Sequence, residues 1–189
     1  CALPIYSQGS ALPLGDYGSR QTSFVKKLNS AGVEQWSVSV DGHEGLQTVT
    51  SLAIDTNDNV IALTDGSDVR NGGNRICITK INGTDGTLLW QITPHLNRVY
   101  FGVQTDEDSN IYINGYNYNG YSDGIYVLKF DTNGNLLYGK DIAGTYDSYM
   151  SYMEAYGQTL SVKNNRLSVG FYSYAIGDYD YAAVVADLP

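Results

Sequence analysis

Cysteine, histidine, proline and basic residues are all scarce in this sequence, and each shortage removes a class of function. The two cysteines in 189 residues, Cys1 and Cys77, make no disulfide framework and indicate no redox compartment. Cys77 lies in the apolar run ICITKI, where a small buried thiol is the expected role. The two histidines, His43 and His95, stand far apart and form no zinc-spaced cluster with the cysteines. They fall in connections between strand candidates, and no nucleophile-elbow pattern accompanies them. With 11 Lys and Arg against 20 Asp and Glu, the formal net charge is −9. Such a surface repels phosphate backbones and anionic lipids, so nucleic acid is not an expected partner. No apolar run approaches the ~20 residues of a spanning helix, so membrane insertion is not expected either. No basic start followed by an apolar core and a cleavage site is visible. The chain begins at Cys1, not Met, so the expectation is a processed protein or a fragment of a longer one.

What is abundant is tyrosine, glycine and short apolar runs. There are 17 Tyr and four Phe, and 21 Gly against four Pro. Tyr suits half-buried strands and wet contact surfaces, because it joins a flat apolar body to a hydroxyl. Gly with Asn and Asp points to tight turns. No segment keeps a helical period long enough to predict a helix. Residues 143–157 come closest, and their Tyr and Gly content makes a long loop the better reading.

Three landmarks repeat with a period of about 50 residues, which is the mark of a repeat array. A strand ends in Lys27, Lys80 and Lys129, with Ala186 at that place in a fourth copy. An aromatic follows nine or ten residues later, at Trp36, Trp90 and Tyr138. An Asn opens a strand at Asn59, Asn110 and Asn165. Each period holds four short strand candidates, as in Thr48–Asp55, Asn59–Thr64, Arg75–Ile81 and Thr87–Thr93, separated by Asn/Asp/Gly turns. Four antiparallel strands per period predict an all-β chain, a β-propeller of four-stranded antiparallel blades. About three to four blades are expected, partial at both ends: roughly 1–40 (partial), 48–93, 99–142 and 158–189 (partial).

The stretches FVKKLNSAGVEQW, ITKINGTDGTLLW and VLKFDTNGNLLYG alternate with AIDTNDNVIALT and QTDEDSNIYINGY. Together they resemble the SBBP-type, NHL-like β-propeller repeats found in bacterial secreted and phage proteins. The resemblance covers most of the chain. It implies the strand order within a blade, with the strand before the Asp-rich turn innermost and the Trp/Tyr strand outermost. It implies almost nothing about activity.

Two kinds of residue carry possible chemistry. The first is the Asp-rich turn, D-x-[DN]-x-[DN], present as Asp55, Asn57, Asn59; Asp106, Asp108, Asn110; and Asp131, Asn133, Asn135. That spacing can gather oxygen ligands for calcium. The sixth position is Val60, Ile111 or Leu136, however, and the twelfth is Gly66, Asn117 or Ile142, where a calcium loop needs Gly and Glu. Ordinary hairpin turns also use these residues, so no cofactor is expected. The repeated lysines are expected to pair with acidic neighbours, and Trp36 and Trp90 to pack between blades.

The second is tyrosine on long connections. One face of the array is expected to carry short turns and the other to carry long loops, among them Asn117–Asp123 and Ser173–Asp180. The candidate ligand-binding residues are Tyr116, Tyr118, Tyr121, Tyr146, Tyr149, Tyr152, Tyr174 and Tyr179. Tyr beside Asn, Ser and Gly makes adaptable recognition surfaces. The functional expectation is a non-enzymatic interaction or structural module of an extracellular or virion assembly. A phage tail or capsid appendage, or a surface adhesin, would fit. Its partners would be a protein or a glycan, and other copies or chains of the assembly. The alternative is the propeller portion of an enzyme, a quinoprotein-like oxidoreductase or a lyase or hydrolase.

Overall fold

A computed structural model of the chain describes residues 3–4, 23–40, 46–67, 74–94, 99–116, 125–143, 159–164, 166–175 and 178–187. No helix occurs among the described residues. Their strands form four antiparallel sheets, each in chain order. The first contains β1 (Leu3–Pro4), β2 (Phe24–Leu28) and β3 (Glu34–Ser39). The second contains β4 (Leu46–Ile54), β5 (Val60–Ser67), β6 (Asn74–Ile81) and β7 (Leu88–Ile92). The third contains β8 (Val99–Thr105), β9 (Ile111–Tyr116), β10 (Ile125–Phe130) and β11 (Leu136–Ala143). The fourth contains β12 (Thr159–Lys163), β13 (Arg166–Ala175) and β14 (Asp178–Asp187). The chain divides into two compact units. Cys1–Leu96 holds the first two sheets, and Asn97–Pro189 holds the other two.

The apolar runs of the sequence are the middle strands. Ile61, Ala62 and Leu63 on β5 and Ile76, Cys77 and Ile78 on β6 are all buried, so both faces of these strands are covered. That is why they read as continuous hydrophobic runs and not as alternation. The fourth strand of the sheet differs: Leu88 and Leu89 at the start of β7 are about half exposed. In the first unit the two sheets meet through Val25, Trp36 and Val40 on one side and Val60, Ala62 and Ile81 on the other. The Trp36 indole Nε1 donates to the Gly83 carbonyl at 3.1 Å, so the ring is docked at its polar end as well as by its apolar body. Within this unit Trp36 packs between sheets, as expected of the repeated aromatic.

One turn design closes three of the described hairpins, and part of it closes a fourth. In the turn between β4 and β5, Asp55 Oδ1 accepts the backbone amides of Asn57 and Asn59, both at 2.9 Å. Asp55 Oδ2 accepts the Asn59 side-chain amide at 3.1 Å. The same three bonds recur around Asp106, to Asp108 and Asn110, and around Asp131, to Asn133 and Asn135. Asn29 performs half of this task between β2 and β3, accepting the amides of Ala31 and Val33. An oxygen on a two-carbon side chain reaches the amides two and four residues on, which is why the first position is Asp or Asn. The fourth position has positive φ: Asp58 and Ser109 in the β4–β5 and β8–β9 turns, and Gly32 and Gly134 in the β2–β3 and β10–β11 turns; the β6–β7 turn is one residue longer and has its positive φ at the fifth position, Gly86. Glycine is indispensable at Gly86, where a Cβ would come within 2.9 Å of the Trp36 ring.

The repeated Lys and aromatic residues are cross-strand partners. Lys27 stands opposite Trp36, Lys80 opposite Trp90 and Lys129 opposite Tyr138. A register shift follows each lysine by one residue, so the hairpins share the same irregularity next to the same turn.

One expected loop is not a loop. Composition places Ser173–Asp180 on a long connection, but Ser173, Tyr174 and Ala175 belong to β13, and Asp178, Tyr179 and Asp180 to β14. The physical reason lies in the pattern: tyrosine at every second position on both arms has strong strand preference and cross-strand pairing.

Candidate functional site

The lysines and the Asp turns form one local system, and it differs between copies. In the second sheet Lys80 Nζ lies 2.9 Å from Asp55 Oδ2, with the lysine side chain 5 % and the carboxylate 0 % exposed. The lysine meets an acidic partner, and the pair is internal. Burial by itself would raise the Asp55 pKa. The Lys80 ammonium and the donors from Asn59 and Asn57 outweigh it and hold the carboxyl below its ordinary value. Lys27 of the first sheet reaches the second: its Nζ contacts Asp58 Oδ2 at 3.1 Å and the Gly83 carbonyl at 2.6 Å. Lys27 and Trp36 thus converge on the same carbonyl.

In the third sheet a tyrosine replaces the direct ion pair. Tyr112 holds the place that Ile61 holds in the second sheet, opposite the lysine. Its hydroxyl donates to Asp106 Oδ2 at 3.1 Å. The Lys129 ammonium sits over the Tyr112 ring, 5.1 Å from its centroid, and 5.9 Å from that of Tyr138. Desolvation and the neighbouring Asp106 carboxylate both push the Tyr112 hydroxyl well above the ordinary tyrosine pKa. The Tyr138 hydroxyl is raised by the same two causes. A lysine between two tyrosine rings, beside a tyrosine-bound carboxylate, was not foreseen. Its only sequence signal is the exchange of Ile61 for Tyr112 within the repeat.

This geometry bears on the calcium donor set. The Asp55 oxygens are taken by two turn amides, a side-chain amide and an ammonium. Asp106 gives its oxygens to two amides, Asn110 and Tyr112. Asn57, Asp108 and Asn133 join through backbone amides that donate, where a calcium site wants oxygens. Asp131 is the most exposed of the three, and hydrogen bonds from Asn135 lead the causes that lower its pKa. Among the described residues, no group of three or more His, Cys, Asp or Glu is placed to hold a metal. In this structure the turn carboxylates of Asp55, Asp106 and Asp131 accept hairpin-closing hydrogen bonds.

The tyrosine candidates fall into two sets. Tyr118, Tyr121, Tyr146, Tyr149 and Tyr152 lie outside the described residues, as do His43 and His95. Tyr116 is the last residue of β9. Tyr174 and Tyr179 are brought together: the register of β13 and β14 places them opposite each other. The same register sets Tyr172 opposite Tyr181, one step along the same face, so two pairs stand side by side. Sequence reasoning passed over Tyr181. The signal was the run YSYAIGDYDY, in which tyrosines alternate on both sides of a short break.

No family model matches this chain, and no curated protein matches it. Among solved structures, a protein of unknown function from Dyadobacter fermentans is similar with a TM-score of 0.65 at 13 % identity, covering 100 % of this chain and 50 % of its own. A second, a protein of unknown function from Bacteroides caccae, has a TM-score of 0.48 at 13 % identity, covering 87 % of this chain and 55 % of its own. The chain thus spans about half the length of each. The Dyadobacter likeness is one of fold alone.

Proposed function

We propose that this chain is a non-enzymatic interaction module whose antiparallel sheets are blades of a β-propeller of the SBBP-type, NHL-like kind. It would serve an extracellular or virion assembly and bind a protein or glycan through tyrosine-rich connections. The observation that carries this reading is the difference between the two ends of each four-stranded sheet. At one end the hairpins are closed by short turns whose Asp and Asn side chains are consumed by the turn's own amides. The segments that follow β9 and β11 in sequence, 117–124 and 144–158, are longer, and Tyr118, Tyr121, Tyr146, Tyr149 and Tyr152 belong to them by chain order. A rigid scaffold with its chain length spent on one side is the usual design of a recognition surface. Tyrosine supplies contact area there at low entropic cost, since it has two side-chain torsions to fix. The acidic turn residues, which an enzyme would need as acids or bases, are engaged in hairpin closure and in the Lys80 and Tyr112 contacts.

The test is binding to a glycan array and to candidate surface proteins, with Tyr118→Ala and Tyr149→Ala as the variants. The reading expects a ligand whose affinity falls about tenfold or more in each variant. Affinity that survives both substitutions unchanged rules out the surface proposed.

A further inference from the structure

The first unit shows what the lysine–aromatic rung can hold. Lys27 and Trp36 stand opposite each other on β2 and β3. Both donate to one acceptor of the next sheet, the Gly83 carbonyl in the β6–β7 turn, at 2.6 and 3.1 Å. The same ammonium reaches Asp58 Oδ2 at 3.1 Å. A Cβ at Gly83 would collide with the Asp58 carbonyl, so the two turns of the second sheet nest closely and present this acceptor together. One rung of one sheet thereby grips a turn of its neighbour.

The third sheet carries the same rung with nothing in its grip. Lys129 stands opposite Tyr138, beside the same register shift, and the tyrosine hydroxyl replaces the indole N–H as donor. The Tyr138 hydroxyl is buried and has no hydrogen-bond partner. The Lys129 ammonium meets the rings of Tyr112 and Tyr138, and among the described residues no carboxylate or carbonyl pairs with it. Asp106 cannot serve Tyr138, since its carboxylate already accepts four hydrogen bonds, from two amides, the Asn110 side chain and Tyr112. A buried donor without an acceptor is costly, and two on one rung point to a group that both would share.

We infer that Lys129 and Tyr138 form a docking clamp for the backbone carbonyl of a partner β-hairpin, one whose turn is built like that of β6–β7. The partner's chemistry follows from the filled copy. A carbonyl oxygen has two lone pairs, one for the ammonium and one for the hydroxyl, as Gly83 uses one for Lys27 and one for Trp36. A free anion is disfavoured by the Asp106 carboxylate on Tyr112 and by the net charge of −9. Glycine after the first Asn of the turn lets the backbone come close, because no Cβ stands in the way. The clamp is separate from the tyrosine-rich connections and does not depend on them.

The probe is a synthetic hairpin of residues 78–92, ITKINGTDGTLLWQI, closed by a disulfide between added terminal cysteines. It is titrated into the isotope-labelled whole chain and followed by nuclear magnetic resonance, with the open segment 87–93, TLLWQIT, as the comparison. The expectation is saturable binding of the hairpin, with shifts at Lys129 and Tyr138. Affinity should fall about tenfold or more in Lys129→Met and in Tyr138→Phe, and stay unchanged in Lys26→Met, which removes a lysine outside the clamp. Tyr138→Phe should also leave the free chain as resistant to urea as the parent or more so, because the lost hydroxyl had no partner to lose. No binding of the hairpin, binding indifferent to both clamp variants, or equal binding of the open segment overturns the inference. So does a free Tyr138→Phe chain that unfolds at lower urea, since the hydroxyl would then be satisfied already.

Discussion

Replacing Asp55 by alanine separates the two tasks this residue performs. One task is hairpin closure through the amides of Asn57 and Asn59; the other is neutralising Lys80 inside the sheet. Asn29 performs only the first, accepting two amides at 3.0 and 2.9 Å in an exposed turn of the same unit. Loss of turn hydrogen bonds that water can replace costs about 0.5–1.5 kcal/mol, which is the expectation for Asn29→Ala. Asp55→Ala removes the carboxylate 2.9 Å from the buried Lys80 ammonium, and removing one partner of a buried pair costs about 3–5 kcal/mol. Asp55→Ala should therefore exceed Asn29→Ala by about 2–4 kcal/mol. Urea unfolding followed by tryptophan fluorescence measures both, since Trp36 and Trp90 lie in this unit. Adding Lys80→Met to Asp55→Ala should recover most of the excess, because an apolar pair has no charge to desolvate. Equal costs for Asp55→Ala and Asn29→Ala, or no recovery in the double variant, would refute the internal ion pair.

Other outcomes follow from the same geometry. The Asp55 carboxyl is held below its ordinary value of 3.8, so its stabilisation is complete above that pH and is lost as pH falls through the lower folded value. Acid unfolding of Asp55→Asn, compared with the parent, should show a flatter loss below pH 3.8. Tyr112 and Tyr138 are raised above the ordinary value of 10, so stability should fall as pH rises past 10, where unfolded tyrosines ionise first. Alkaline difference spectroscopy should find two fewer ionising tyrosines in Tyr112→Phe/Tyr138→Phe only after unfolding, with the folded titration near pH 10 unaltered. Gly32→Ala meets open space at φ +77, so it should cost about 1–2 kcal/mol of backbone strain. Gly86→Ala adds a collision with the Trp36 ring and should cost more, with a red shift of tryptophan emission that Gly32→Ala lacks.

The strand content and the hairpin turns were legible because local chemistry decides them. Asp55, Asp106 and Asp131 bind amides two and four residues away, a reach wholly encoded in D-x-x-x-N. The Lys and aromatic landmarks were legible as a period, and the structure explains the period as a cross-strand rung. What was not legible depends on partners distant in sequence. Whether Lys80 meets water or Asp55 depends on a strand face of buried residues, with Ile61 opposite Lys80 and Leu63 opposite Ile78. Exchange of Ile61 for Tyr112 reroutes the same lysine onto aromatic rings, and no pattern in either strand alone announces that. The tyrosine arm was misread for the opposite reason. Its glycine and aspartates imitate loop composition, while its alternation, seen only when both arms are aligned, specifies a hairpin. The propeller arrangement and the loop tyrosines rest on the resemblance and on composition.

The account stands most directly on the claim that one hairpin plan recurs with a lysine opposite an aromatic. Nuclear Overhauser contacts measured on the isotope-labelled chain test it. The account predicts cross-strand backbone contacts for Lys27 with Trp36, Lys80 with Trp90 and Lys129 with Tyr138. Contacts from any one of these lysines to a different residue of the facing strand, a slip of one or more positions, would contradict it.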